Sequence, residues 1–272
     1  MMTIADKLQT IADNTQKVFN AGFVEGQEFG GYNEGFDAGK KAEREAFWDA
    51  YVDGLEGYGF ERAFSNNQWG FRNFFPQRDI KPVGGARFLF YNFGSTTDGV
   101  TDAAGDLAQR FRDCGVVLDT SKATSLSYAF AYARISCIPE IDVTGLVGSS
   151  PELFAYTWYY LTKIEKIITS ETVTYNDWFV NCAALAEIRF EGKIGNDINL
   201  QWSTKLSNAS IESLLNAACN RPDPDGNPMT VTLSKTAVDK AYETSEGAND
   251  GSVGNNWVLG WEANRNFEIR LV

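Results

Sequence analysis

Between Phe130 and Phe190 the apolar positions repeat. An aromatic residue is followed five to seven residues later by a branched apolar residue, and two further apolar residues come at short steps after it. The first copy is Phe130, Ile135, Ile138 and Ile141. The second is Phe154, Leu161, Ile164 and Ile167, and the third is Phe179, Leu185, Ile188 and Phe190. The anchors Ile135, Leu161 and Leu185 stand 26 and 24 residues apart. A period in the twenties accommodates one short strand and one connection per unit. Such a unit cannot bury its apolar face alone, so it must stack on its neighbours. The pattern predicts a stacked wall whose strands lie in ISCIPEID, LTKIEKIIT and LAEIRFEG. The aromatic, alanine-rich pieces SYAFAYAR and NDWFVNCAA suit helical turns or tight crossovers that plug the interior between coils.

A different period governs the start of the chain. Met1, Ile4, Leu8, Ile11, Thr15 and Val18 step alternately by three and four, which is an a/d heptad seam. An isolated helix that short is marginal in water. The seam therefore needs a partner, either its own domain or a second copy. Self-association into a trimer or dimer through Met1, Ile4, Leu8, Ile11 and Val18 is the expectation, with Thr15 as a weak point. The Gly-aromatic repeats GFVEG, GYNEG and GFDAG follow, as either close-packed helix or joint, and then a helical segment, KKAEREAFWDAYVDGLEG. Residues 1–57 thus form a helical arm and 58–115 a capping and connecting region. Residues 116–272 form the repeat body with a C-terminal cap.

Inside the connector, Arg87–Tyr91 is expected as a strand, and TDAAGDLAQRFRDCG as a helix with Leu107, Phe111 and Cys114 inward and Gly115 as its stop. Past Gly192, Asn208 or Ser210 can cap a helix whose inner face is Ile211, Leu214, Leu215 and Ala218. NRPDPDGNP is a turn cluster and MTVTLSKTAV an alternating strand. The tail ends in a strand with Glu268 and Arg270 on its wet face.

Composition narrows the function classes. The net charge is −12 over 272 residues, with no basic run. Nucleic-acid binding needs a basic footprint, so that class is set aside, and anionic membrane surfaces with it. No stretch approaches the ~20 apolar residues of a membrane span. The N-terminus lacks a basic region followed by an apolar block, so no secretory signal is expected and assembly in a cytoplasm is. Histidine is absent, which removes the commonest general base and metal ligand. The cysteines Cys114, Cys137, Cys182 and Cys219 form no C-x-x-C pair and are expected as buried thiols.

Little else points to catalysis. DPDG, from Asp223 to Gly226, resembles half a calcium loop, but the twelfth position is Ser234 where a Glu is needed. GSTTDGVTDAAG lacks the lysine of a phosphate loop. Glu187 and Glu191 lie near one strand, where a glycan hydrolase would need two carboxylates flanking a cleft; solvated edge charge is the plainer account. No catalytic, metal or cofactor-binding residue is assigned. Aromatics make up 14% of the chain. Phe154, Tyr156, Trp158, Tyr159 and Tyr160 crowd so closely that they cannot all point inward. Tyr156, Trp158, Tyr159 and Tyr160 are therefore candidate surface contacts.

Four stretches carry a family resemblance: MTIADKLQTIADNTQKVFNAG, AEREAFWDAY, IRFEGKIGNDINLQWSTKLSNASIESLLNA and TVTLSKTAV. Through them the chain resembles proteins encoded in phages and prophages of gut Firmicutes, and its repeat core is similar to irregular, BspA-like leucine-rich repeats. The Gly-aromatic segment between Gly22 and Gly39 departs from that pattern. The resemblance implies an α+β chain: a coiled-coil-like N-terminal arm followed by a short leucine-rich-repeat-like solenoid. It implies a non-enzymatic virion protein of the tail or baseplate, with no cofactor. Other virion proteins would be partners through the arm, and a host cell-surface protein or glycan would be the partner of the body. A purely structural or decorating subunit is the alternative, and a glycan-acting hydrolase a further one.

Overall fold

A computed structural model describes residues 60–61, 63–65, 78–94, 105–175, 177–218, 228–243 and 267–272. The expectations for the arm, including Met1, Ile4, Leu8, Ile11 and Val18, lie outside these residues, as do those for the DPDG turn and Cys219.

Among the described residues every paired strand is parallel, and the sheets have three short helices between them. β1 (Gly84–Gly85) pairs with β3 (Ala123–Ser125). The main sheet has the order β2 (Gly105–Asp106), β4 (Ile135–Asp142), β5 (Lys163–Ile168), β6 (Glu187–Glu191). A third sheet joins β7 (Ile198–Leu200), β8 (Thr230–Leu233) and β9 (Glu268–Leu271). The helices are α1 (Leu107–Cys114), α2 (Asn208–Ala217) and α3 (Lys235–Glu243).

This corrects the expected fold class. An α+β chain with a long helical, coiled-coil-like arm and a leucine-rich-repeat-like solenoid is not what the described residues form; they are mostly parallel sheet, and no long helix or coiled coil occurs among them. The physical reason lies in the connections. The segments Arg87–Gly94, Ser127–Tyr132, Pro151–Tyr156 and Asp177–Asn181 are runs of single turns and bends. Their N–H groups bond mainly to the next coil: Phe88 to Ser127 O, Phe90 to Ala129 O, Phe130 to Leu153 O, Tyr132 to Ala155 O, Phe154 to Trp178 O and Tyr156 to Val180 O. The expected strand Arg87–Tyr91 is one of these turn runs.

Register explains the apolar repeat. Ile138 faces Ile164, which faces Ile188, and Ile141 faces Ile167, which faces Phe190. A register shift between Ile164 and Ile167 on the β6 side is why the third copy closes one residue early. All twelve residues of the expected repeat core are buried: Phe130, Ile135, Ile138, Ile141, Phe154, Leu161, Ile164, Ile167, Phe179, Leu185, Ile188 and Phe190. Behind the strands, the rings of Phe64, Phe90, Phe130, Phe154 and Phe179 stack in one column at centroid steps of 4.9, 5.5, 5.7 and 5.5 Å.

Two devices hold the coils in line. Gly145 and Gly195 let adjacent coils touch: a Cβ on them would lie 2.3 Å from Ser121 O and 2.5 Å from Glu171 O. The free edge of β6 is closed by serine side chains of α2. Ile188 N–H donates to Ser210 Oγ (3.0 Å) and Phe190 N–H to Ser213 Oγ (2.8 Å), while Ser213 Oγ donates back to Phe190 O (3.1 Å). A sheet edge left unpaired would invite another strand, and these hydroxyls occupy it.

Helix α1 runs as its pattern suggests, capped by Asp106 and ended by a left-handed Gly115, although Cys114 is only half-buried. Helix α2 is capped by Ser207, whose hydroxyl accepts from Ser210 N–H, and not by Asn208 or Ser210. MTVTLSKTAV is not one strand: β8 stops at Leu233 and α3 begins at Lys235. Within TVTL the residue types alternate, yet Val231, Thr232 and Leu233 are all buried.

Candidate ligand-contact face

The turn runs create the most unusual surface among the described residues. Position by position, Asn92, Tyr132, Tyr156 and Asn181 are equivalent, each two residues past a phenylalanine of the buried column. All four are left-handed, with φ of 53°, 60°, 59° and 56°. Phe88, Tyr128 and Glu152 form a second left-handed row at 59°, 58° and 54°, and Trp158 adds another at 42°. Asparagine tolerates this conformation; a bulky ring there is an outlier, at a cost of about 1–2 kcal/mol.

These left-handed turns direct rings outward, where they form one connected group. Tyr128 stacks on Phe88 (5.0 Å, 4°), and Phe88 meets Tyr91 edge-on at 5.3 Å. Tyr91 meets Tyr132 at 5.4 Å, and Tyr132 stacks on Tyr156 (4.8 Å, 13°). Trp158 closes the row against both Tyr132 (5.5 Å) and Tyr156 (6.0 Å). Five of these six rings are half-buried, and Trp158 is 41% exposed. Arg87 lies over the Phe88 ring at 5.6 Å and Arg134 over Tyr160 at 5.2 Å. Burial, aided by Tyr156 and Tyr91, raises the Tyr132 phenol above its ordinary range, so it stays a neutral hydrogen-bonding group. Burial raises the Glu152 carboxyl as well, with a smaller push from Asp177.

Of the contacts expected from sequence, Trp158 and Tyr159 are exposed, Tyr159 at 82%, while Tyr156 and Tyr160 are half-buried. Phe154, grouped with them by proximity, belongs to the buried column. Sequence reasoning missed Phe88, Tyr91, Tyr128 and Tyr132. The available signal was the alignment of Phe90-Tyr91-Asn92, Phe130-Ala131-Tyr132, Phe154-Ala155-Tyr156 and Phe179-Val180-Asn181, which puts rings and asparagines in one column.

The outer face of the main sheet is different. Its charges are paired with one another: Lys163 with Glu187, Lys166 with Glu140 and Glu191, and Arg112 with Glu165. Glu187 and Glu191 are thus members of a charge ladder. A cleft of about 450 Å³ between α1 and this sheet is floored by Phe111, Val116 and Leu118. Each carboxylate on it has a partner: Asp119 in Ser121, Asp142 in Thr144, Glu140 in Lys166 and Glu165 in Arg112.

Cys137 and Cys182 are buried, and desolvation pushes both thiols up to about 12. They are inert at neutral pH, since the thiolate is the reactive form. Among the described residues no group of three or more acidic or cysteine side chains could hold a metal ion, and no helix is long and apolar enough to cross a membrane. No family model matches the chain, and neither the curated proteins nor the solved structures provide a match.

Proposed function

We propose that this chain is a non-enzymatic phage virion protein of the tail or baseplate whose aromatic turn face contacts the host surface. The observation that carries the binding part is the Tyr132–Tyr156 stack in a column where Asn92 and Asn181 show the backbone's own preference. Strained residues that the fold does not need concentrate where contact is made. The self-paired charges of the sheet face make that side a poor second candidate. The placement on a particle is supported by the resemblance of the chain to phage and prophage proteins, and attachment would run through residues 1–57. Weak single contacts displayed in several copies would add up to useful avidity.

The test is attachment of the purified, fluorescently labelled full chain to a panel of gut Firmicutes strains, scored strain by strain. The proposal expects saturable attachment to some strains and its loss in a Tyr132→Asn/Tyr156→Asn chain. Attachment to no strain, with particles that fail to assemble without the protein, would favour a purely structural or decorating subunit. One observation keeps a hydrolase in view: Glu152 and Asp177 are neighbouring carboxylates on the aromatic side. Release of reducing sugar from cell-wall glycan by the full chain would establish that reading.

A further inference from the structure

We infer that the ligand of the aromatic face is a neutral polysaccharide of the host envelope, and that Tyr132 and Tyr156 select it; this rests on the contact reading above. The first ground is spacing. Tyr132 and Tyr156 hold the same place in adjacent coils with ring centroids 4.8 Å apart, and Tyr91, one residue before the column's Asn92, meets Tyr132 edge-on at 5.4 Å. A step of that size is close to the length of one sugar ring in an extended chain. A surface that repeats suits a polymer that repeats, whereas a folded protein partner would present no matching period.

The second ground is chemistry. Stacked phenols offer each other their faces and present to solvent their rims and hydroxyls. Rigid amphipathic rings of this kind give large contact area together with hydrogen-bonding tips. Sugars offer hydroxyls to pair with the phenols of Tyr132 and Tyr156, and C–H faces to rest on the exposed rings of Trp158 and Tyr159. The third ground is charge. Arg87 and Arg134 are drawn onto rings at the margin, and Glu152 lies close to Asp177. The chain carries a net charge of −12 with no basic run, so it lacks the basic stripe expected of a surface that recruits an anionic polymer such as a teichoic acid.

The experiment uses the full chain and strains to which it attaches. Cells are treated with periodate, which cleaves vicinal diols of sugars, or with protease, and attachment is measured again. Extracted neutral and anionic wall polymers are then compared as soluble competitors. The inference expects periodate to abolish attachment, protease to leave it, and the neutral fraction to compete at least tenfold better than the anionic one. In Tyr132→Asn/Tyr156→Asn, competition by the neutral fraction should weaken tenfold or more. That variant keeps side chains already present at Asn92 and Asn181, so folding is checked by its melting curve against Tyr159→Ala as a second, fully surface variant. Attachment that survives periodate and is lost to protease overturns the polysaccharide while leaving host contact standing. Stronger competition by the anionic fraction also overturns it. Attachment to no strain fells both readings together.

Discussion

At the scale of single residues, backbone conformation and side-chain identity disagree in an informative way. Tyr132 and Tyr156 occupy left-handed positions that asparagine fills elsewhere in the same column. Exchanging both for Asn relieves about 1–2 kcal/mol of strain per site. It loses the four ring contacts that these two side chains make, about 0.5–1.5 kcal/mol each, and some half-buried area, so relief and loss largely offset. Urea unfolding should therefore put the double variant within about 1.5 kcal/mol of the parent; a larger loss would mean that the rings are structural. Gly195 has the opposite character, since an added Cβ meets backbone at 2.5 Å. Gly195→Ala should cost about 1–3 kcal/mol on the same assay, because two coils must part to admit it. Cys182 gives a pH test. Its thiol sits at about 12 in the fold, against an ordinary value of 9.0. Between those values the unfolded chain has shed a proton that the folded chain keeps, so stability falls as pH rises, by up to about 1.4 kcal/mol per pH unit. Cys182→Ser should remove this share and leave that of Cys137, whose thiol is raised alike, so the decline across that alkaline window becomes shallower; equal slopes would contradict the assignment. Burial of the Cys182 thiol is expected from the sequence, but the other two roles could not be seen in it. A positive φ and a carbonyl at 2.3–2.5 Å are consequences of stacking and are absent from local composition.

At the scale of elements, the strand triplets were legible because parallel pairing places like on like: Ile138, Ile164 and Ile188 are one row. The connections were not legible. Arg87–Tyr91 reads as a strand in the sequence, yet the N–H groups of Phe88 and Phe90 serve the neighbouring coil, that of Tyr91 closes a turn on Phe88 O, and the backbone is left-handed at Phe88. The start of α2 was misplaced because Ser207, Asn208 and Ser210 are all competent caps, and only tertiary contact decides. Ser210 and Ser213 are instead committed to the edge of β6. Removing both hydroxyls (Ser210→Ala with Ser213→Ala) leaves strand N–H groups unpaired and should cost about 1–3 kcal/mol per site. Thermal melting would check it, and an unchanged midpoint would show that the edge is satisfied otherwise. Phe154 lies mid-column between Phe130 and Phe179. Phe154→Ala should cost about 3–5 kcal/mol, as an unfilled cavity in a packed stack.

At the scale of the whole molecule, two surfaces of unlike character emerge from one repeat. The strands present charges that neutralise each other, and the turns present rings that meet solvent. The candidate site was half visible in the sequence: the crowding at Tyr156–Tyr160 drew attention to itself, but the partners Phe88, Tyr91, Tyr128 and Tyr132 come from coils 24 to 68 residues away. Only stacking unites them. The most direct measurement is a paired covalent footprint of the full chain on an attached host cell. Hydroxyl radicals report on Tyr132, Tyr156, Trp158 and Tyr159, and amine acylation reports on Lys163 and Lys166 of the sheet face. The account predicts that the rings become protected on attachment while both lysines react as they do in free protein. Protected lysines beside fully reactive rings would contradict it.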